Sequence, residues 1–332
     1  MLRLALPSSG ALHDPCMSFM RACGLSVSRA NSRRYIAEVG SVPGVTVMFQ
    51  RGSDITAKID EGAVDLGVVG KDQFLESRRE DGDSRVVIDG LGFGRSNLVL
   101  AVPDSWVDVT SMADLAEISN EFRSVGQDLR VATKYPRLIQ RHLLAHGVNY
   151  FSLVQSSGTL EAAPAMGFAD IIGDITETGS TIRENRLKQI DGGTSISSDA
   201  CVISRRMDPR VDRAQLETAR VILEMMEAHL GAKTYVRVTA NMKGETPEEV
   251  ADYVLGHSDI SGLQGPTISR VFTPNGAGWF AVTVIIEENR LLSAVDTLRE
   301  IGGTSVTVDK PAYVFQSEST SYPRLVEAVT DA

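Results

Sequence analysis

Residues 174–181 read Asp174-Ile175-Thr176-Glu177-Thr178-Gly179-Ser180-Thr181. This spelling suits an anion. Consecutive backbone N–H groups at the start of a helix attract negative charge, glycine lets the chain approach closely, and hydroxyls add donors without bulk. Asp174, at the end of the preceding apolar run, can accept from sugar hydroxyls or hold Mg²⁺ through water. Asp170, four residues earlier, is either a second such acid or structural. The four residues from Thr178 to Thr181 equally spell the N-cap of a following helix, and the residues alone leave both readings open.

The elements around this loop alternate. Leu2–Pro7 reads as a strand entering a Ser-Ser-Gly loop, and Asp14–Cys23 has helical spacing. Val45–Phe49 is a strand, Asp54–Glu61 a helix stopped by Gly62, and Val64–Gly70 a buried strand. Leu98–Val102, Arg130–Thr133, Ala169–Ile175 and Ala200–Ser204 are further strands, with a helix over Tyr135–His146. Strand–helix alternation predicts a parallel α/β sheet, whose ligands sit at the carboxyl ends of its strands. After a long amphipathic helix over Ala214–Leu230, the order becomes strand, helix, strand, strand, helix, strand, the ferredoxin-like arrangement of small regulatory domains. A boundary near residue 230 follows.

With 332 residues, two or three domains of ~100–200 residues are expected. The formal net charge of −10 argues against a nucleic-acid partner, which needs a concentrated basic surface, but not against a small phosphorylated ligand. Cys16, Cys23 and Cys201 form no Cys-x-x-Cys pair and no disulfide framework, which points to a reducing, cytoplasmic compartment. The apolar run before Pro7 is too short for a signal-peptide core, and no stretch approaches the ~18 apolar residues of a membrane span. Five scattered histidines offer no zinc spacing, and the His142/His146 pair reads as a helix face.

Residues 161–185, Glu161-Ala-Ala-Pro164-Ala-Met-Gly167-Phe-Ala-Asp170-Ile-Ile-Gly-Asp174-Ile-Thr-Glu-Thr178-Gly179-Ser-Thr181-Ile-Arg-Glu-Asn185, resemble the signature of ATP phosphoribosyltransferase. Further segments agree in the family's order: Arg51-Gly-Ser-Asp54-Ile55, Asp65-Leu-Gly67-Val-Val-Gly70-Lys-Asp72, and Ala132-Thr133-Lys134-Tyr135-Pro136. Gly262-Leu-Gln-Gly-Pro266-Thr267-Ile268, Gly278-Trp279 and Ile301-Gly302-Gly303 are similar to the regulatory domain of its long form. The resemblance implies a two-lobed, periplasmic-binding-protein-like α/β catalytic core with a C-terminal ferredoxin-like (ACT-like) domain. Its expected spans are residues 1–95 with 195–228, residues 96–194, and residues 231–318. The implied reaction joins ATP and 5-phosphoribosyl 1-diphosphate into N1-(5-phosphoribosyl)-ATP and diphosphate, the first step of histidine biosynthesis. Mg²⁺ is the implied cofactor, histidine the inhibitor, and a homo-hexamer (a dimer in some states) the assembly.

Such a reaction breaks the C1–diphosphate bond while adenine N1 attacks the opposite face. It needs a fixed donor, a stabilised leaving group and an aligned purine, but no side-chain nucleophile. The resemblance assigns Thr178, Gly179, Ser180 and Thr181 to the 5-phosphate and Asp174 to the ribose or its magnesium. It assigns Arg51 and Arg34 to diphosphate or triphosphate charge, which a guanidinium meets bidentately. Asp72 and Glu161 fall in the cleft near base or metal, with Ser8, Gly10, Arg95, Thr133, Lys134 and Tyr135 also lining it. Asn241, Leu263, Thr267 and Ser305 match the inhibitor pocket. Each has a plainer reading: Arg34 a surface charge, Asp54 an N-cap, Lys134 a helix start, Tyr135 and Trp279 core, and the C-terminal four ordinary turn residues. Two departures matter. The family's first loop usually reads Leu-Pro-Ser-Lys-Gly-Arg-Leu, whereas here Leu6-Pro7-Ser8-Ser9-Gly10-Ala11-Leu12 lacks both cations. Asp199 also stands where a basic residue often precedes the Ala-Cys strand. Arg33, Arg34, Arg51, Arg95 and Lys134 are the remaining local cations, and a catalytically impaired two-lobed binding or sensory paralogue is the competing reading.

Overall fold

The computed structural model describes all residues except 29–30, 32–33, 156–158, 275–277 and 328–332, so Arg33 lies outside the described residues. The chain divides into two compact units. The first runs to Arg220, save Ala22–Gly24, and includes the C-terminal helix; the second takes Ala22–Gly24 and Val221–Thr320. The division thus falls inside the long helix expected to end the core, not after it.

The first unit holds two sheets. In chain order the strands of the first lobe are β1 (Leu2–Pro7), β2 (Val27–Ser28), β3 (Ile36–Val39), β4 (Val45–Gln50), β5 (Leu66–Gly70) and β6 (Arg85–Ile88). Helices α1 (His13–Ala22), α2 (Gly52–Asp60) and α3 (Lys71–Ser77) connect them. The chain then crosses to the second lobe, with β7 (Ser96–Pro103), α4 (Met112–Ser124), β8 (Leu129–Thr133), α5 (Pro136–Ala145), β9 (Phe151–Gln155), β10 (Ile171–Thr176), α6 (Ser180–Glu184) and β11 (Leu187–Ser198). It returns at Asp199 into β12 (Ala200–Ser204), followed by α7 (Arg213–Ala232). The sheet orders are β2-β3-β4-β1-β5-β12-β6 and β11-β7-β10-β8-β9.

Both sheets are mixed, where strand–helix alternation predicts parallel ones. β1 pairs parallel with β4 and β5, and β8 with β9 and β10, but β12 lies antiparallel to β5, and β7 antiparallel to β10. The strands that carry the chain between lobes break the pattern, and so do β2 and β3, an antiparallel extension beside β4. Every residue of β5 is buried, as the apolar run Val64–Gly70 predicts, while β1 and β8 are buried but for Arg3 and Arg130, and β4 alternates buried and half-buried residues. β1 lies between β4 and β5, and β8 between β9 and β10, so in each lobe the chain leaves a central strand toward both sides. Ligands favour the carboxyl ends at such switch points.

Each lobe fastens the other end of its central pair in the same way. In lobe I, Asp65 accepts from Arg3 N, Nε and Nη2 at 2.7, 3.1 and 2.8 Å, while Asp65 N donates to Arg3 O. In lobe II, Asp170 accepts from Arg130 N, Nε and Nη2 at 2.8, 3.2 and 2.8 Å, and Asp170 N donates to Arg130 O. Asp170 is therefore structural. Asp65, 1% exposed, also receives Arg205 Nε at 2.7 Å, and Arg205 holds Asp212.

The second unit is the expected ferredoxin-like domain: β13 (Tyr235–Lys243), α8 (Pro247–Leu255), β14 (Thr267–Val271), β15 (Trp279–Glu287), α9 (Leu291–Glu300) and β16 (Thr304–Asp309), in sheet order β14-β15-β13-β16. Val236, Val238, Phe280, Val282, Ala294 and Leu298 alternate inward to form its core. The C-terminal helix α10 (Ser321–Glu327) closes the described chain. No described helix is long and apolar enough to cross a membrane.

Burial pushes the Asp65 carboxyl up, but the hydrogen bonds from Arg3 and Arg205 outweigh it and leave it below the ordinary aspartate value. A depressed carboxyl stabilises the fold above its unfolded value, and that stability is lost as pH falls through the folded one. Replacing Asp65 by Asn strands two guanidiniums and is expected to cost about 3–5 kcal/mol in urea unfolding at pH 7. The difference from wild type should shrink below roughly pH 4, where the unfolded carboxyl is protonated.

Candidate functional site

The loops at the carboxyl ends of β1, β4, β5, β8 and β10 carry most of the residues singled out in the sequence. After β1, Ser8 N donates to Gln50 O at 2.7 Å, and Gly10 takes φ +84°, so the first loop keeps its turn while exposing Ser9 and Ala11. After β4, Arg51 is the N-cap of α2 and is exposed. Asp54, expected as that cap, is instead the third helical residue, its N–H bonded to Arg51 O.

Asp72 opens α3 and is 5% exposed, with both oxygens in use. Ser198 Oγ donates to Oδ1 at 2.7 Å and accepts from Asp72 N at 2.9 Å; Tyr135 Oη donates to Oδ2 at 2.8 Å. A carboxylate so committed orients its neighbours, which corrects the expectation that it faces base or metal. Tyr135, likewise 5% exposed, belongs to the core of lobe II and to this hydrogen bond at once. Burial, and then the charge of Asp72, push its phenol far above the ordinary range, so it stays a donor. Thr133 is fully buried: its hydroxyl donates to Gly173 O at 2.6 Å and accepts from Tyr135 N at 2.9 Å. Its side chain shapes the turn and presents nothing to a substrate. Between them Lys134 is exposed.

Asp174 is brought within electrostatic reach of Lys134, Glu161 and Tyr135. Glu161 comes from a short 3-10 turn over Leu160–Ala162. Burial raises the Asp174 carboxyl above its ordinary value and Glu161 raises it further, against the Ile175 N–H (2.8 Å) and Lys134. Beyond it, Thr176 Oγ1 accepts from Gly179 N at 2.8 Å, and the hydroxyls of Thr178 and Ser180 lie 3.0 Å apart. Gly179 is the cap residue of α6 at φ +72°, with no side chain to cap it. A Cβ there would meet the Arg183 guanidinium at 3.0 Å and the Gln189 amide at 3.1 Å. The plain side-chain N-cap reading therefore does not hold. The loop wraps a pocket of ≈ 380 Å³ lined also by Asn97, Arg183, Lys188 and Gln189.

Those four residues are absent from the sequence-derived set. Arg183 had a signal, since four residues after Gly179 a helical side chain returns to the loop. Asn97, Lys188 and Gln189 arrive through long-range pairing of β7 and β11. A second pocket of ≈ 570 Å³ at the crossings is lined by Lys71, Asp89, Arg95, Asn97, Glu177, Ser198 and Asp199 among others. Here Lys71 pairs with Asp89 at 2.5 Å, and the exposed Arg95 lies 3.7 Å from Asp199. Arg34 is exposed before β3. Among the described residues no cluster of three His, Cys, Asp or Glu could hold a metal on its own, and Cys16, Cys23 and Cys201 are buried and form no disulfide. His142, on α5, and His146, its C-cap residue, have ring centroids 4.3 Å apart with the planes tilted by 52°.

The sequence model described as "ATP phosphoribosyltransferase" matches residues 51–228, and that described as "HisG, C-terminal domain" matches residues 232–309. The chain belongs to the ATP phosphoribosyltransferase family. It is a long-form member, since both parts are present. It is 36% identical over 331 residues to "ATP phosphoribosyltransferase 1, chloroplastic" of Arabidopsis thaliana, covering 98% of this chain and 80% of that one. To the ATP phosphoribosyltransferase of Nitrobacter hamburgensis it is 36% identical over 327 residues, covering 98% and 97%. Among solved structures, the "ATP phosphoribosyl transferase (HisG:HisZ) complex from Thermotoga maritima" superposes with a TM-score of 0.52 at 26% identity, over 68% of this chain and 96% of that chain.

In the second unit, the family's four expected inhibitor positions do not converge within one chain. Asn241 pairs with Thr304, beside Ser305 at φ +52°. Thr267 opens β14 on the far side of β15, and the exposed Leu263 precedes it. Two strand spacings, ~10 Å, separate the pairs. Trp279 is half-buried under Lys243 Nζ, 5.2 Å from its ring.

A buried acid whose carboxyl is raised holds its proton more tightly folded than unfolded, so ionising Asp174 costs stability as pH rises. Asp174→Asn should therefore raise the thermal midpoint at pH 7, and the gain should fade below about pH 4, where the unfolded carboxyl is also protonated. Midpoints measured across that range, showing a loss at pH 7 or a gain independent of pH, would contradict the desolvated carboxylate.

Proposed function

We propose that this chain condenses ATP with 5-phosphoribosyl 1-diphosphate to N1-(5-phosphoribosyl)-ATP and diphosphate, opening histidine biosynthesis. The observation that carries this reading, beside family membership, is the loop from Asp174 to Thr181 around its own cationic pocket. Gly179 at positive φ brings backbone close to Arg183, and the first N–H groups of α6 lack helical partners. A 5-phosphate fits there, held by the backbone of Ser180 and Thr181, the hydroxyls of Thr178 and Ser180, and Arg183. Gly179 N is spent on Thr176, so that residue contributes space.

Asp174 then faces the ribose. Its raised carboxyl and the nearby Glu161 fit Mg²⁺ as a substrate-borne ion, because magnesium is ordinarily held by one or two carboxylates plus substrate phosphates and waters. Bound there, the ion would neutralise charge on the leaving diphosphate. Exposed Arg51 and Lys134 offer further countercharge from opposite lobes, with Ser8 and Gly10 lining the facing loop, and Arg95 and Arg34 farther out. The chain's own work is orientation and charge placement, with the lobes excluding water from the reacting carbon.

Histidine inhibition is assigned to the second unit. Asn241 with Ser305, and Leu263 with Thr267, form separate half-sites, which suits a pocket completed by a second copy and so an oligomer, taken as a hexamer. Three buried cysteines outside any disulfide fit a reducing, cytoplasmic compartment. The exposed Ser9 and Ala11 favour the second reading, an impaired binding or sensory relative.

An absorbance assay with ATP, donor and Mg²⁺ should show turnover; none at saturating substrates would favour the impaired relative. Gly179→Val should weaken donor binding at least ~100-fold by calorimetry, given the φ and the 3.0 Å approach of Arg183, and unchanged affinity would refute the loop assignment. Histidine should inhibit the full chain and not a folded chain lacking residues 231–332; inhibition that persists would place the regulatory site elsewhere.

A further inference from the structure

Helix α5 begins without a cap of its own. Its N-cap residue Tyr135 makes no side-chain cap bond, and Pro136 at the first position has no N–H. The next two N–H groups, of Arg137 and Leu138, are the ones a Ser, Thr, Asp or Asn cap would ordinarily satisfy. Here both are taken by one carboxylate from the other lobe: Arg137 N donates to Glu76 Oε1 at 2.9 Å and Leu138 N to Glu76 Oε2 at 3.0 Å. Glu76 lies on α3, four residues after Asp72 and so on the same helix face. Asp72 holds Tyr135 Oη. Farther along, the Arg137 guanidinium donates to Arg78 O and to Glu80 Oε1 at 3.3 Å.

We propose that Glu76 is a positioning residue for the cleft. By capping α5 across the lobes it holds the Lys134–Tyr135 turn against lobe I and biases the lobes toward the arrangement in which substrate contacts from both are aligned. The proposal rests on the reading of this cleft as the donor and ATP site. When the lobes part, the N-terminus of α5 loses the Glu76 carboxylate and Asp72 loses its phenol, so the open form forfeits several hydrogen bonds at once. A substrate that needs both lobes binds with an affinity reduced by the fraction of molecules already closed, and saturating substrate restores closure. Removing the cap should therefore act on KM and spare kcat.

The test uses the full chain with Glu76→Ala, Glu76→Gln and Arg137→Ala. The Gln variant keeps one acceptor oxygen and is the fallback if Ala does not fold. Arg137→Ala keeps the backbone N–H. We expect Glu76→Ala to raise the donor KM about tenfold, as for a closed population cut to roughly a tenth, with kcat within about twofold. Glu76→Gln should fall between it and wild type, and Arg137→Ala, which keeps the cap but loses the guanidinium bonds to Arg78 and Glu80, should raise the donor KM less than Glu76→Ala. An unchanged KM, or a fall in kcat at constant KM, overturns the proposal. Amide hydrogen exchange without substrate provides the independent arm: faster exchange confined to Arg137 and Leu138 in Glu76→Ala supports the cap, and unchanged exchange overturns it. Because exchange needs no turnover, an inactive wild type would defeat the functional reading while leaving the cap decided.

Discussion

A carboxylate taken out of water must be given hydrogen bonds, and Asp72 of the first lobe receives them from two separate elements of the second. Ser198 stands at the end of β11, one residue before the chain crosses back; Tyr135 stands at the head of α5 in the second lobe. An ionised acid with an unmet oxygen at 5% exposure would carry a large desolvation cost, so neither partner is free to drift. The demand spreads outward. The phenol must keep its proton to donate, and burial beside a negative charge ensures that it does. Gly70 must lack a side chain, because a Cβ there would sit 2.5 Å from Asp72 Oδ1. Thr133 must hold the Tyr135 N–H so that the ring enters at the right angle. Sequence, turn shape and lobe contact are thus settled by one buried charge.

The rest of the cleft distributes charge unevenly. Lys71 and Arg95 line the larger pocket beside Asp89 and Asp199. The loop pocket has Arg183 and Lys188. Exposed Arg51 and Lys134 face solvent at the ends of β4 and β8, where the first loop supplies Ser9 and Ala11. A chain of net charge −10 can therefore still present local cations to phosphate groups, provided they are gathered by folding and not by sequence.

What the sequence disclosed follows the same division. The apolar runs at Leu2–Leu6 and Val64–Gly70, and the loop at Thr178–Thr181, are local signals, and each lies where its spelling places it. The ferredoxin-like order after residue 230 was equally legible from periodicity. Helix α4 is marked in the sequence chiefly by its capping box, Ser111 with Asp114, since its apolar face is short. Strand β11 was hidden more deeply: Lys188 to Ser198 mixes charge, two glycines and serines, and its register against β7 shifts twice. Its residues reach the site only through pairing with a distant strand. Asp72 shows the opposite failure. Its motif marked it as important, but no motif distinguishes a carboxylate that meets substrate from one that binds the lobes together.

Both lobes separate the end that fixes register from the end that meets ligand. Arg3 and Asp65 clamp the amino ends of β1 and β5, and Arg130 and Asp170 those of β8 and β10, with the same three donors and the same return bond. A slip of one residue would turn every side chain of a strand to the other face. A clamp at one end therefore decides which residues emerge at the other, namely Ser8 and Asp72 in one lobe, Lys134 and Asp174 in its counterpart. The two clamps are unequal. Asp65 is buried and gains a second guanidinium from Arg205, whereas Asp170 is partly open to water and has Arg130 alone, the setting in which ion pairs contribute least. Lobe II makes up the difference near its ligand end, where the buried Thr133 hydroxyl ties β8 to Gly173 of β10. That bond lies one residue from Asp174 and one from Lys134. In this lobe, register and site geometry are held by the same contact, so a change at Thr133 reaches the chemistry more directly than one at Arg130.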